Sequence, residues 1–577
     1  MLSDASLREA RGFVTPSDPA VDVREIRLER DWDGPVCRSR LVSEAEAPVN
    51  IQEVVLFAIA HDLTGETAIY GEGFQKLSQT GGTLAQPVAL GGYTDAGHYR
   101  IPEPEGATTL YSMLALSPPR GGKALLAFTS CRRFAGRFYL REGSIEVVLD
   151  TEGLAIGPGE TWELEEFMVA TGTGCTGLKA ALAERIDRNH SPLRFEPVPA
   201  GWCSWYCFGP GVTADDVLRN LDFIAANLPE LRYIQIDDGY QAAMGDWLET
   251  GNAFEGAIRE VLDAIRRQGF EPALWVAPFV AEEGSHLFGE HPEWFVKDRE
   301  ERPLRSDRVT FGGWRRGPWY ALDGTHPGAQ EHLESLFRAL RRECGCTYFK
   351  LDACFWGAMH GGRFHDPTAT RIEAYRRGMQ AIARGAEGAF ILGCNHPVWP
   401  SLGLIHGSRS SNDIGRTWES FRQTGRENLL RAWQNGRLWW NDPDCVVLTG
   451  DLSEQEFTFH ATVVLASGGM VLSGDDLTKL PPERLAVLRE LVPPTGVAAR
   501  FEDESMRVGS IKLPERRLVC LFNWEDEPIT LELRLDAPSQ VRDFWTGEHL
   551  GVREGIFEVR DMPGRSAKVL DCRPPAA

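Results

Sequence analysis

Between residues 200 and 476, short apolar runs alternate with longer stretches whose apolar residues recur at three- and four-residue steps. The short runs have strand length: GWCSWY (201–206), YIQIDD (233–238), PALWVAP (272–278), YFKLDAC (348–354), AFILGCN (389–395), LIHGSRSSND (404–413), RLWWNDPD (437–444) and GGMVLSGDD (468–476). The longer stretches predict amphipathic helices: ADDVLRNLDFIAANL, FEGAIREVLDAIRRQG, AQEHLESLFRALRREC, TRIEAYRRGMQAIARG and EQEFTFHATVVLASG. Eight strands alternating with helices over this length predict a (β/α)8 TIM barrel. A doubly wound open sheet is the alternative, but no GxGxxG or P-loop follows any strand. Residues 396–403 are too few for a fifth barrel helix. The stretch around 280–325 is too long for a plain connection and is expected to decorate the barrel mouth.

The flanks differ in texture. Before residue 195, β-branched or alternating runs such as VNIQEVVLFAIA, KALLAFTS and SIEVVLD sit between glycine-rich turns, the pattern of an antiparallel sandwich. The proline-punctuated SPLRFEPVPA links this region to the barrel, and strand-like runs return after about 495 (RLVCLFNW, ITLELRL, SAKVLD). The expected layout is an N-terminal β-sandwich (1–195), a catalytic barrel (196–493) and a C-terminal β-sandwich (494–577), a multidomain α/β chain.

Composition narrows the partners. A net charge of −22 over 577 residues opposes nucleic acid and anionic membrane surfaces, because the long-range field has the wrong sign. The N-terminal MLSDASLREARGFV lacks a signal-peptide core, so cytoplasmic residence is expected. Twelve scattered cysteines are read as reduced structural thiols, since no paired zinc-ligand spacing accompanies Cys203/Cys207 or Cys344/Cys346. Homo-oligomerisation is left open.

In a barrel, the C-terminal strand ends converge on one pocket. Those ends carry Trp205 and Tyr206, Asp237 and Asp238, Trp275, Lys350 and Asp352, Cys394 and Asn395, Arg409 and Asp413, then Asn441, Asp442, Asp444, Asp475 and Asp476. Carboxylates accept paired hydrogen bonds from adjacent hydroxyls, and aromatic faces cover C–H patches, so the set suits a sugar. A divalent-metal site is the competing use of clustered acids. Lys350 and Arg409 oppose it, because they would repel a metal yet keep carboxylates ionised. Asp352 is the candidate nucleophile, kept charged and oriented by Lys350, and Asp413 the candidate acid/base. A carboxylate gap of about 5–5.5 Å would give retention and about 6.5–9.5 Å inversion. Asp442, Asp444, Asp475 and Asp476 also fit turn or cap roles, and Asp215/Asp216 a helix cap. No nucleophile elbow such as GxSxG supports a triad around His396 or His406.

Together GWCSWYCF, YIQIDDGYQ, ALWVAPF, YFKLDAC, RSSNDIGRTW and LWWNDPD resemble, in order, glycoside hydrolase family 36, the α-galactosidase and raffinose-synthase relatives. The resemblance implies Asp352 as nucleophile and Asp413 as acid/base with retention of configuration, and no metal or organic cofactor. It implies that Asp237 and Asp238 bind the axial 4-hydroxyl and the 6-hydroxyl of a galactosyl unit. Trp275 would line the pocket, Lys350 and Arg409 would bind ring hydroxyls and support the acids, and Cys394 would face C2. Trp205 and Asn395 complete the expected substrate contacts. GEGFQKLSQTGG looks like the family loop that lends an aromatic to the pocket, with Phe74 in place of a tryptophan. GCNHPVWPSLG departs from the family's Ser-Gly-Gly-type loop, which leaves 2-hydroxyl against 2-acetamido preference open, and Tyr240 stands where tryptophan is usual.

The expected function is a retaining exo-α-galactosidase acting on small oligosaccharides of the raffinose or melibiose type. The alternatives are an α-N-acetylgalactosaminidase or α-galactosyltransferase of the same fold, a non-catalytic galactoside-binding protein and a metal-dependent barrel enzyme.

Overall fold

The computed structural model describes residues 4–254, 256, 258–501 and 503–575. Eight parallel strands occupy the predicted runs: β1 (Ala200–Cys203), β2 (Tyr233–Ile236), β3 (Glu271–Val276), β4 (Tyr348–Leu351), β5 (Phe390–Gly393), β6 (Gly407–Arg409), β7 (Trp440–Asp442) and β8 (Val471–Ser473). They pair in chain order, and β1 also pairs with β8. Between β7 and β8 a single parallel bridge, Val446 to Ser473, replaces a ladder, and Met470 N donates to Asn441 O at 2.8 Å. The result is a nearly closed barrel.

Among the described residues, seven helices of ten or more residues interleave with or follow these strands: α1 (Ala214–Asn227), α2 (Ile258–Arg267), α3 (Pro327–Arg342), α4 (Arg371–Ala386), α5 (Trp418–Leu430), α6 (Glu454–Ser467) and α7 (Pro482–Leu491). A capping box starts α1, with Thr213 and Asp216 exchanging side-chain and backbone hydrogen bonds, as the acids there led us to expect. Its apolar stripe, Val217, Leu221 and Ile224, is buried, and each such side chain contributes about 1.5–3 kcal/mol. Between β5 and β6 only a 3-10 turn, Trp399–Ser401, fits. The stretches that became α5 and α7 are not among the predicted helices. In α6 almost every side chain from Phe457 onward is buried. A helix apolar all round must be covered on both sides, and α6 packs against the C-terminal strand Ser566–Arg573 as well as the barrel.

The flanking sheets are each one continuous antiparallel network. Thirteen strands make the N-terminal one and six the C-terminal one. Strand Ile529–Asp543 slips register between Leu535 and Ser539, around Pro538. Its first half places Leu531, Leu533 and Leu535 in one core with Val519, Leu521 and Leu570. A helix, Cys175–Asn189, follows the N-terminal strands.

Among the contacts that fix the N-terminal sheet to the barrel, those around Glu72 and Lys76 bear on the barrel mouth. Glu72, wholly buried, pairs with Arg431 at 2.5 Å and accepts from Gln434 Nε2 at 3.0 Å. Arg431 also donates to Lys76 O at 2.6 Å, and Lys76 N donates to His396 O at 3.0 Å. Residues 73–78 are thus clamped over the β5–β6 connection. All twelve cysteines are free, and ten are buried. No helix among the described residues is long and apolar enough to cross a membrane.

Several histidines are buried in the neutral form. Burial pushes His190 and His396 down to about 3, and His406 and His460 down to about 4. Unfolded histidine titrates near 6.5, so this contribution is complete above pH ~6.5 and is lost as pH falls toward 4. Burial raises Asp95 to about 6 and Glu152 to about 7, which acts in the opposite sense. In a His460→Gln variant, the loss of urea stability between about pH 6.5 and 4.5 should be shallower than in the parent. An unchanged slope would show that His460 is not a source of acid sensitivity.

Candidate active site

At the C-terminal end of the barrel a cavity of about 590 Å³ gathers Trp205, Asp237, Asp238, Trp275, Lys350, Asp352, Cys394, Asn395 and Asp413. Nine of the eleven expected residues therefore share one cavity. The other two behave differently. Arg409 lies behind the wall, its guanidinium 3.3 Å from Asp413 Oδ1. Phe74 is buried away from the cavity, edge-on to Tyr111 and Phe355 and under the Arg371 guanidinium. The loop carrying Phe74 does reach the site, but through Lys76 and Leu77, and the aromatic rings on that side are Tyr93 and Tyr99.

β2 ends at Ile236, so strict side-chain alternation stops before Asp237 and Asp238, and both carboxylates reach the cavity. Gly239, at φ 137°, turns the chain immediately afterwards. Asp237 Oδ2 accepts from Lys350 Nζ at 2.9 Å and from Gln235 Nε2 at 2.7 Å. Asp238 pairs with Arg315 and accepts from Gln241 Nε2 at 2.6 Å. Burial, with the adjacent Asp237, pushes the Asp238 carboxyl above its ordinary value against the pull of Gln241 and Arg315.

Lys350 does not orient Asp352, contrary to the sequence-based expectation. β4 ends at Leu351 and Ala353 is left-handed (φ 52°), so Asp352 leaves the face that Lys350 occupies. Lys350 crosses the barrel interior to Asp237, whose charge outweighs burial and holds the ammonium well above its ordinary value. Asp352 is fixed instead by two N–H donors: Trp275 Nε1 to Oδ2 at 3.1 Å and Ala353 N to Oδ1 at 2.7 Å.

Asp413 lines the same cavity with its side chain 65% exposed. Enclosure pushes its carboxyl up, but Arg409, Lys76 and Lys350 outweigh that and hold it below the usual value. Arg409 is itself held by Asp444 at 2.5 Å, with Asp442 at 3.6 Å, and it donates to Tyr206 OH at 3.3 Å. Asp442 does close a turn, accepting from Asp444 N at 3.0 Å, but that turn also aims both carboxylates at Arg409 and away from the cavity. Asp476 caps a 3-10 turn and Asp475 pairs with Arg416. His396 is a satisfied core residue, bonded to Ser401 Oγ at 2.8 Å and Ser408 Oγ at 2.9 Å. Burial, with the charge of Asp352, pushes the Cys394 thiol up to about 12. Asn395, left-handed at φ 44°, accepts a hydrogen bond from Tyr99 OH.

Sequence reasoning missed Lys76, Tyr93, His98, Tyr99, Phe311, Trp314, Asn412 and Gln423, which also line the cavity. Phe311 and Trp314 come from the long β3–β4 connection expected to decorate the mouth. The aromatic run GYTDAGHYR was the available signal for the N-terminal rings; Tyr93, His98 and Phe311 stack there, at 4.3 Å and 3.8 Å between successive ring centroids.

The melibiase family profile matches residues 232–360. Among curated proteins, the mouse myogenesis-regulating glycosidase is 34% identical over 199 residues, which is 32% of this chain and 26% of that protein. The chain thus matches about a quarter of that relative's length. Among solved structures, the α-galactosidase TtGalA from Thermus thermophilus, in complex with p-nitrophenyl α-D-galactopyranoside, superposes with a TM-score of 0.64 at 26% identity. That match covers 84% of this chain and 98% of the other. A variant of the family 36 α-galactosidase AgaA from Geobacillus stearothermophilus, in complex with raffinose, superposes with a TM-score of 0.66 over 95% of this chain and 81% of its own. At 13% identity it shares the fold.

Burying Lys350 and Asp237 together leaves neither charge affordable alone. Lys350→Met should destabilise the protein by about 3–5 kcal/mol, and Lys350→Met with Asp237→Asn by much less. Urea denaturation of both variants checks this; equal losses would mean that the pair is not coupled.

Proposed function

Since residues 232–360 carry a melibiase domain, in the clan of glycoside hydrolase families 27 and 36, we propose that the protein is a retaining exo-α-galactosidase. It removes terminal α-galactosyl units from small oligosaccharides of the raffinose or melibiose type. The observation that carries this reading is the pairing of Asp352 and Asp413 on one cavity in opposite settings. Asp352 has both oxygens fixed by N–H donors. Asp413 is open to the cavity, and among the described residues its side chain is paired with Arg409 alone.

In the first step an Asp352 oxygen attacks C1 while Asp413 gives its proton to the departing glycosidic oxygen, and a covalent glycosyl-enzyme forms. Asp413 starts with its carboxyl held low, so the proton must be gained as substrate fills the cavity and strips water from the carboxylate. Esterification of Asp352 then removes a nearby negative charge. That favours ionised Asp413, the form needed to take a proton from the attacking water. Water adds to C1, Asp352 leaves as carboxylate, and configuration is retained. Asp237 and Asp238, fixed by Lys350, Gln241 and Arg315, grip the 4- and 6-hydroxyls, and Trp275 and Trp205 cover the sugar's C–H patches. The same reading divides the chain at about residues 195 and 493 into an N-terminal β-domain, a catalytic barrel and a C-terminal β-domain.

Asp352→Ala should lose at least about a thousandfold in kcat on an aryl α-galactoside. Added azide should restore turnover, giving the inverted β-galactosyl azide. Near-parental activity would remove Asp352 from the reaction, and hydrolysis without retention, read by NMR of the first-formed sugar, would exclude the double displacement. Asp237→Asn should narrow the ratio of galacto- to gluco-configured substrate turnover; equal loss on both would mean that this carboxylate does not read C4. Binding of galactosides without any hydrolysis would favour a lectin-like role.

A further inference from the structure

Lys76 is a buried cation that the reaction above leaves without a task. It is only 1% exposed, yet it belongs to the lining of the catalytic cavity. Among the described residues its ammonium makes one hydrogen bond, to Ser411 O at 2.7 Å, and no ion pair within 4 Å. An ammonium has three donors, and burying one of them costs free energy unless a partner arrives. The two remaining donors are thus available to a molecule in the cavity.

The position is imposed from several sides. Glu72 and Arg431 anchor the loop, and Arg431 holds the Lys76 carbonyl. The Lys76 amide is bonded to His396 O, one residue beyond Asn395. Buried Asp95 accepts from Phe74 N at 2.7 Å and Gln75 N at 3.3 Å. The side chain therefore projects from a braced loop into the cavity that Asp352, Asp413 and Cys394 also line; burial pulls its ammonium below the ordinary lysine value, against the opposing charges of those groups. Lys76 thus shares the cavity wall with the two carboxylates and Cys394, held there by the carbonyl of Ser411, two residues before Asp413.

Two ring atoms flank C1: the ring oxygen and C2. A fixed positive charge beside the ring oxygen would oppose the positive charge that develops there in an oxocarbenium-like transition state. Beside C2 the same ammonium can donate to a hydroxyl oxygen, and hydrogen bonds to the 2-hydroxyl are of the kind that strengthen in the transition state. Building on the glycosidase reading above, we propose that Lys76 is a specificity-determining residue. It selects sugars with a neutral oxygen substituent at C2 and rejects 2-amino sugars, whose ammonium would meet Lys76, with Arg409 close behind the wall.

Binding by the wild-type protein needs no variant. At pH 6, calorimetry should show galactose binding at least tenfold more tightly than galactosamine, with 2-deoxygalactose also weaker than galactose. Kinetics of Lys76→Met and Lys76→Arg on aryl α-galactoside and aryl 2-deoxy-α-galactoside supply the second readout. Lys76→Met should lose tenfold or more in kcat/KM on the galactoside and threefold or less on the 2-deoxy substrate, and Lys76→Arg should recover part of the difference. Equal losses on both substrates would reduce Lys76 to a structural role and overturn the proposal, as would wild-type binding of galactosamine as tight as that of galactose. If none of the three sugars binds and neither glycoside is hydrolysed, it is the α-galactosidase reading that fails, and the C2 assignment falls with it. Melting curves of both variants identify any loss that comes from unfolding.

Discussion

The constraint on which this structure depends is that charge buried at the barrel mouth must be matched. Glu72, Asp237, Asp238, Arg409, Arg431, Asp442, Asp444 and Lys350 are all buried there, and an unpaired buried charge costs several kcal/mol. Each of these has found its opposite on another segment of chain; Lys76, buried beside them, is the exception, with the Ser411 carbonyl in place of a counter-charge. Asp237 meets Lys350 across the barrel, Asp442 and Asp444 hold Arg409 from the β7 end, and Glu72 reaches Arg431 from the N-terminal sheet. The partners come from different barrel strands and, for Glu72 and Arg431, from positions 359 residues apart, so satisfying them assembles the mouth.

This pairing also divides labour among the acids. Asp442 and Asp444 are engaged by Arg409 away from the cavity and serve as rigid supports, whereas Asp237 is held by Lys350 and Gln235 with its carboxylate still on the cavity. Asp352 has no ion pair, only two N–H donors, and Asp413 retains an exposed carboxylate. Asp352 and Asp413 thus both present carboxylates to the cavity, and the supports behind them do not occupy that space. The positive set is arranged in the same way: Lys350 and Arg409 are engaged by carboxylates, whereas Lys76 retains free donors toward the cavity.

Much of this is legible in the sequence. The eight barrel strands lie within the predicted runs, because a strand buried by helices reads as a short apolar block and the amphipathic helices between them keep a 3.6 period. The carboxylates and aromatics at the strand ends are identifiable for the same reason: the fold sends those ends to one side. Helices α1 to α4 are clear from their period and α6 from its apolar run, buried on all sides rather than amphipathic as expected, but α5 and α7 are not. In α5, Glu427 and Asn428 are buried to bond Asn412 and Ser410, so polar residues interrupt the expected stripe.

What the sequence by itself determined was local: where the chain extends or coils, and which reactive side chains fall where a strand ends. Those properties depend on the spacing of apolar residues and on turn chemistry within a few positions. Only the tertiary structure decided which charges meet. Lys350 lies two residues from Asp352 in sequence, yet bonds Asp237, 113 positions away, because the strand ends between the first two and the barrel interior brings the latter pair together. Likewise Phe74 has the expected aromatic identity but is buried behind the wall, and Lys76, two residues further along the same loop, faces the cavity. Direction at a strand or loop terminus is set by the segment packed against it, and that segment can lie hundreds of residues away.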